Sequence, residues 1–191
     1  MPRVSKDPKI RKQEILEAAM LVFYEKGYDK TNMADIAKKV GVAQGLCYRY
    51  FPSKEALFNT SLQVYAQTIA DRLKPFLADR SLTLKQKLEQ IPSYVDYEQD
   101  GSPYYKAFHN ENEESKKIHD QLSLKVCELV TPLAADTIKL AHEKGEVDIV
   151  DYEAAASFCI YGQLGLLLNG ALDEQEKVRR IRDQINHFFR F

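Results

Sequence analysis

Cysteine is scarce in this 191-residue chain, with only Cys47, Cys127 and Cys159, far apart in sequence and odd in number. That leaves neither a disulfide framework nor a paired-cysteine metal motif, and it suits a reducing compartment in which each thiol sits inside an apolar helical pattern. Eight glycines and seven prolines, with no low-complexity tract, exclude a linker-like or disordered chain. No apolar run follows Met1-Pro2-Arg3-Val4-Ser5-Lys6, so no secretory signal is expected and the expected location is cytoplasmic. A glycine-rich phosphate loop, a nucleophile elbow and an acid–base pair in an apolar setting are all missing. An enzyme is therefore disfavoured, and no catalytic residue, metal or cofactor is assigned.

Strand-like alternation between turn dipeptides is absent as well. Apolar residues instead recur at three- and four-residue spacing, which predicts an all-α fold. The first helix starts at Asp7-Pro8, a cap followed by proline, and stops at Gly27. Asn32 with Asp35 reads as a capping box opening a short helix that ends at Gly41. A third helix carries Gln44 to Tyr50, and Ser53 opens a fourth, running to about residue 72. Further on, Thr83 with Gln86 repeats the capping-box pattern, Pro92, Pro103 and Pro132 bend or end helices, and residues 99–103 form a loop. Gly145 closes a helix, Asp151 caps the next, residues 154–172 carry no formal charge, and Asp173 begins a last, mixed-charge helix.

Net charge is −1, but it is unevenly spread. Residues 1–60 hold eleven Lys/Arg against seven Asp/Glu, a balance of +4, and residues 61–191 hold sixteen against twenty-one, a balance of −5. The basic end is the candidate anion-binding end.

Around Gly41, residues Ile36, Ala37, Val40, Val42, Cys47 and Tyr50 occupy the inward positions of a helix-turn-helix. On a helical wheel Ala43, Cys47 and Phe51 share one face, leaving Gly45, Tyr48 and Arg49 opposite and Leu46 at the flank. That outer face suits a DNA major groove: Arg49 can reach a guanine, Gln44 an adenine and Leu46 a thymine methyl, while Gly45 permits close approach. Thr31, Asn32 at the start of the second helix, Tyr48, Tyr50 and Lys54 supply candidate phosphate donors. Arg3, Lys6, Lys9, Arg11 and Lys12 form a possible basic arm.

These residues resemble the signature of the tetracycline-repressor (TetR) family: Ile15-Leu16, Ala19, Phe23, Gly27-Tyr28, Thr31, Asp35-Ile36-Ala37, Gly41-Val42, Tyr48, Phe51, Lys54-Glu55 and Leu57. The match is dense over about 45 residues and departs from the family at Ala43, where a capping serine is usual, and at Leu46-Cys47. The resemblance implies residues 1–55 as a DNA-binding head and residues 56–191 as a ligand-binding and dimerisation domain, with the fourth helix as connector. It implies a repressor, released from a double-stranded DNA operator by a small-molecule effector. It also implies a homodimer whose bundle is made by helices at about 120–144 and 152–172.

Tyr94, Tyr97, Tyr104, Tyr105 and Phe108, with Phe158 and Tyr161, are candidate lining for an apolar or aromatic effector, although filling core and surface is the simpler reading. His109 and Glu113, at helical spacing near Glu111, Glu114 and His119, raise a metal or acid–base site, but glutamate-rich helix faces are usually only solvated. The uncharged run 154–172 approaches the roughly 20 residues of a membrane helix. Ser157, Gln163, Asn169 and three glycines make it poor for lipid and better suited to a partner subunit, so no membrane association is expected.

Overall fold

The computed structural model describes residues 6–90 and 113–191, and all regular structure among them is helical. The helices are α1 (Pro8–Lys26), α2 (Met33–Val40), α3 (Gln44–Tyr50), α4 (Lys54–Ala78), α5 (Leu84–Gln90), α6 (Glu113–Glu143), α7 (Tyr152–Gly162), α8 (Leu164–Leu167) and α9 (Glu174–Phe189). The described residues divide into two compact units: residues 6–65 with 113–122, and residues 66–90 with 123–191.

In the first unit, local chemistry fixes both ends of the short helices. The Asp7 carboxylate accepts from the Lys9 amide, and Pro8 fills the first helical position, where its missing N–H costs nothing. Asn32 accepts from the Asp35 amide at 2.9 Å, and Asp35 accepts from the Asn32 amide at 3.1 Å, completing the box that starts α2. At its far end Gly41 adopts φ 76° and ψ 38°, a left-handed conformation that a side chain would strain. The Val42 amide then reaches the Ala37 carbonyl and the Gly41 amide the Lys38 carbonyl, the paired bonds of a Schellman turn. The unit's interior is lined by Ile15, Leu16, Ala19, Phe23, Ile36, Ala37, Cys47, Leu57 and Phe58. Phe23 meets Phe58 edge-on at 5.0 Å between ring centres.

The second unit buries Leu84, Ala135, Ile138, Ala141, Val147, Ala155, Ala156 and Phe189 in one cluster. Its helix ends are tied by contacts distant in sequence. The Leu77 carbonyl, in the last turn of α4, accepts from the buried Lys87 ammonium at 2.5 Å and from the Thr137 hydroxyl at 3.2 Å. The Glu146 carboxylate accepts from the Leu84 amide at the start of α5. These partners satisfy end groups that a helix leaves without intrahelical bonds.

The expected caps at Thr83, Asp151 and Asp173 are present, each accepting from the amide three residues on. Helix lengths differ from expectation in three places. α4 continues through Pro75 to Ala78: Pro75 and Asp71, whose carbonyl it leaves unpaired, are both exposed, so water can replace the lost bond. Pro132 does not end α6: Pro132 and Glu128, whose carbonyl it leaves unpaired, are both exposed, so water can take the place of the lost bond. The helix expected over 152–172 is interrupted at Gln163 and finishes at Leu167, where Gly162, Gly165 and Gly170 weaken helical propensity. Among the described residues no helix is long and apolar enough to cross a membrane.

Replacing Asn32 by alanine removes one arm of the capping box. We expect a loss of about 1 kcal/mol, read as a fall of roughly 2–4 °C in melting temperature.

Candidate nucleic-acid interface

Three features set the orientation of α3. α2 is held against α1 by ion pairs from Lys26 to Asp35 at 2.7 Å and from Lys39 to Glu25 at 2.9 Å. The Gly41 turn then sets the start of α3, and Cys47, fully buried on the inner face, sets its rotation. With Cys47 inward, Gln44, Gly45, Tyr48 and Arg49 are exposed, and Leu46 and Tyr50 are half-buried at the flanks. This is the division of faces expected from the wheel, with one departure. Ala43 is exposed, because it stands before the helix in extended backbone at φ −70° and ψ 142°, with no side-chain cap.

Tyr48 is 48% exposed, which leaves its hydroxyl open to an incoming phosphate or base edge. The Arg49 guanidinium stacks 5.6 Å from the centre of the Tyr50 ring, a cation–π contact that supports the side chain on the outer surface. Gly45 has nothing within 4 Å of where a Cβ would stand, so the middle of this face is clear of other side chains.

The expected phosphate donors separate. Asn32 is exposed at the start of α2, its side chain committed to the cap. Thr31 is 2% exposed, and its hydroxyl donates to the Gly27 carbonyl at 2.7 Å, so it serves the α1–α2 connection from inside. Lys54 is half-buried and donates to the carbonyls of Tyr28 and Thr31 at 2.9 and 3.0 Å. In the basic arm, Lys6 and Arg11 both pair with Glu14, and the hydrogen bond from Lys6, helped by the two positive charges, lowers the Glu14 pKa from the ordinary carboxylate value. The Lys12 ammonium stands 5.6 Å over the Phe51 ring, and Arg3 lies outside the described residues.

The ion pairs from α1 to α2 had no readable signal in the sequence. Their partners are nine and fourteen residues apart, outside the i,i+3 and i,i+4 spacings at which helical charges can be paired by inspection.

For the expected effector site, Tyr94, Tyr97, Tyr104, Tyr105 and Phe108 lie outside the described residues, as do His109 and Glu111 of the candidate metal group. Phe158 is 70% exposed and Tyr161 38% exposed, both on the outer face of α7, with Phe158 stacked on Phe188 of α9 at 5.6 Å. Among the described residues no cluster of three or more His, Cys, Asp or Glu side chains could hold a metal ion.

A capped helix, a left-handed glycine and a short helix showing a donor-rich outer face make up the DNA-reading element of a helix-turn-helix protein. Comparison with known proteins agrees. Residues 15–60 match the family model of the bacterial regulatory proteins of the tetR family. Over 62 residues the chain is 44% identical to an uncharacterised HTH-type transcriptional regulator, YvdT of Bacillus subtilis, covering 32% of each protein. Among solved structures it is similar to a Mesorhizobium loti protein described as a TetR-family transcriptional regulator, with TM-score 0.72, 23% identity, and coverage of 96% of this chain and 97% of that one. It is also similar to FadR of Bacillus subtilis, solved in complex with stearoyl-CoA, with TM-score 0.61, 19% identity, and coverage of 93% and 96%. Residues 15–60 therefore match the family's N-terminal model, and the whole chain shares the fold of these solved structures. The sequence match to YvdT spans about a third of that relative's length.

Burial also holds the Cys47 thiol above its ordinary pKa, because desolvation disfavours the thiolate. Burial raises the Cys159 thiol too, to about 11, so access decides between them: a thiol reagent applied to the native protein should modify the half-buried Cys159 ahead of the fully buried Cys47, as read by peptide mass spectrometry. Cys47 reacting first would mean that α3 is rotated from the orientation described.

Proposed function

We propose that this chain is a ligand-responsive transcriptional regulator, a repressor that leaves its operator when a small-molecule effector binds. The observation that carries the DNA-binding part is the outer face of α3: Gln44, Tyr48 and Arg49 exposed together while Cys47 is fully buried behind them. In the major groove Arg49 would read a guanine edge and Gln44 an adenine edge, with Leu46 near a thymine methyl and Gly45 allowing close approach. Tyr48, Tyr50 and the start of α2 at Asn32 would hold the phosphates. Residues 1–55 act as the head in this reading and residues 56–191 as the effector and dimerisation domain, with α4 as connector. A regulator acting on DNA works in the cytoplasm of a bacterial cell.

The effector we propose is apolar or aromatic, and the stearoyl-CoA complex of FadR supports an apolar ligand in this fold. Tyr94, Tyr97, Tyr104, Tyr105 and Phe108 remain its proposed lining. Phe158 and Tyr161 fit a subunit interface better, because they are large apolar side chains exposed on α7, as Leu124 is on α6 at 47%. The Cys127 thiol meets the Ile160 carbonyl at 3.7 Å, so α6 and α7 are in contact at this level. We propose a homodimer through these faces of α6 and α7.

Release of DNA then follows from linkage. An effector that binds better to the DNA-incompetent arrangement lowers operator affinity by its differential binding energy, typically about 1–3 kcal/mol.

Selecting bound sequences from a random DNA pool should enrich a two-half-site sequence, whose spacing reports the distance between the two heads. Enrichment of nothing would remove the DNA-binding function. On the selected site, Arg49→Ala should cost on the order of 1–3 kcal/mol and relax preference at one base pair. Equal loss on specific and random DNA would remove its base-reading role. In sedimentation, the wild-type chain should be a dimer and Phe158→Glu should shift it toward monomer; an unchanged dimer would place the interface elsewhere.

A further inference from the structure

Tyr50 closes α3 and is half-buried, whereas Arg49 beside it is exposed. The backbone that carries them is held on both sides: Cys47 is fully buried, and the buried Phe51 donates its amide to the Cys47 carbonyl at 2.9 Å, which closes the last turn. The Arg49 guanidinium carbon lies 5.6 Å from the centre of the Tyr50 ring, within reach of a cation–π contact. Adjacent residues on a helix point about 100° apart, so the helix does not bring these two side chains together by itself. The contact belongs to this particular pair.

The chemistry of the two groups sets what the contact can do. A guanidinium is planar, with five N–H donors directed around its edge and none on its faces. A partner that takes the face leaves the edge free, and the edge is what pairs with the O6 and N7 acceptors of a guanine. A carboxylate partner would do the opposite, because it binds the donor edge. The ion pairs of the head hold Lys6, Arg11, Lys26 and Lys39, and among the described residues none holds Arg49. An arginine free in solvent gives up many rotamers on binding, and a ring under it removes part of that loss before DNA arrives.

We propose that Tyr50 is a positioning residue whose ring holds the Arg49 guanidinium by its face, so that Tyr50 sets how sharply Arg49 discriminates a base pair that the ring itself does not touch. The proposal rests on the DNA-reading role of Arg49 given above for one of its two readouts; the other needs no DNA.

The test uses the full chain and three variants: Tyr50→Leu removes the ring, Tyr50→Phe keeps it and drops only the hydroxyl, and Arg49→Ala identifies the base pair that Arg49 reads. The first readout is NMR of the free protein. Arg49 side-chain protons should lie upfield of an ordinary arginine through the Tyr50 ring current, stay there in Tyr50→Phe and return to the ordinary position in Tyr50→Leu. The second readout is the ratio of affinities for the selected site and for the same site changed at that one base pair. This ratio cancels any phosphate contact of the Tyr50 hydroxyl, which acts on every sequence alike. Tyr50→Leu should lower it by roughly two- to five-fold, the size of an exposed cation–π contact. Tyr50→Phe should keep it, and Tyr50→Leu in the Arg49→Ala background should lower it no further. A ratio unchanged in Tyr50→Leu, lost equally in Tyr50→Phe, or lowered as much without Arg49 as with it would overturn the proposal. If Tyr50→Leu fails to fold, the wild-type Arg49 protons decide: an upfield position supports the stack and an ordinary one overturns it. If the wild-type chain binds no DNA while those protons lie upfield, the regulator reading falls and the stack stands.

Discussion

The Gly41 turn is the constraint on which the rest of the head depends. Its two backbone bonds, from Val42 to Ala37 and from Gly41 to Lys38, end α2 and fix the direction in which the chain leaves it. Only after that direction is set can Cys47 fall on the inner side of α3, and only with Cys47 inside do Gln44, Tyr48 and Arg49 share an outer face. A turn that needs φ 76° is cheap for glycine and costs other residues about 1 kcal/mol or more, so a single backbone angle carries the geometry of recognition.

Charge in the head does two separate jobs. The sequence places an excess of four positive charges in residues 1–60, which suggests attraction to DNA as a whole. Much of it is occupied within the protein: Lys26 on Asp35, Lys39 on Glu25, Lys6 and Arg11 on Glu14, and Lys54 on two carbonyls. The basic balance therefore overstates the field available to a ligand, and discrimination falls to a few side chains on α3. Exposed ion pairs of this kind each contribute little to stability, but those joining α1 to α2 restrict how the helices slide.

How much was legible in the sequence depended on the range of each interaction. The caps at Asp7, Asn32, Thr83, Asp151 and Asp173 were readable because a side chain satisfies an amide two or three residues away, and such spacings are visible in a line of letters. The inward set around Cys47 was readable because helical period fixes which residues share a face. Ala43 was misplaced since it precedes the helix, where that period does not hold. Lys54 on Tyr28 and Thr31, Glu146 on the Leu84 amide, and Lys87 with Thr137 on the Leu77 carbonyl join residues from 10 to 62 apart, and no local rule pairs them. The continuation of helices through Pro75 and Pro132 went unseen for a related reason: a proline's effect depends on whether the carbonyl it orphans is open to water, which a line of letters does not show.

The burial of Cys47 has a chemical side as well as a geometric one. Peroxides and electrophiles attack thiolates, and a desolvated thiol behind the recognition helix offers almost none at neutral pH. The residue that sets the helix's rotation is thereby kept out of the cell's redox chemistry. Oxidative stress would leave the reading surface of α3 in register, even though a cysteine lies at its centre.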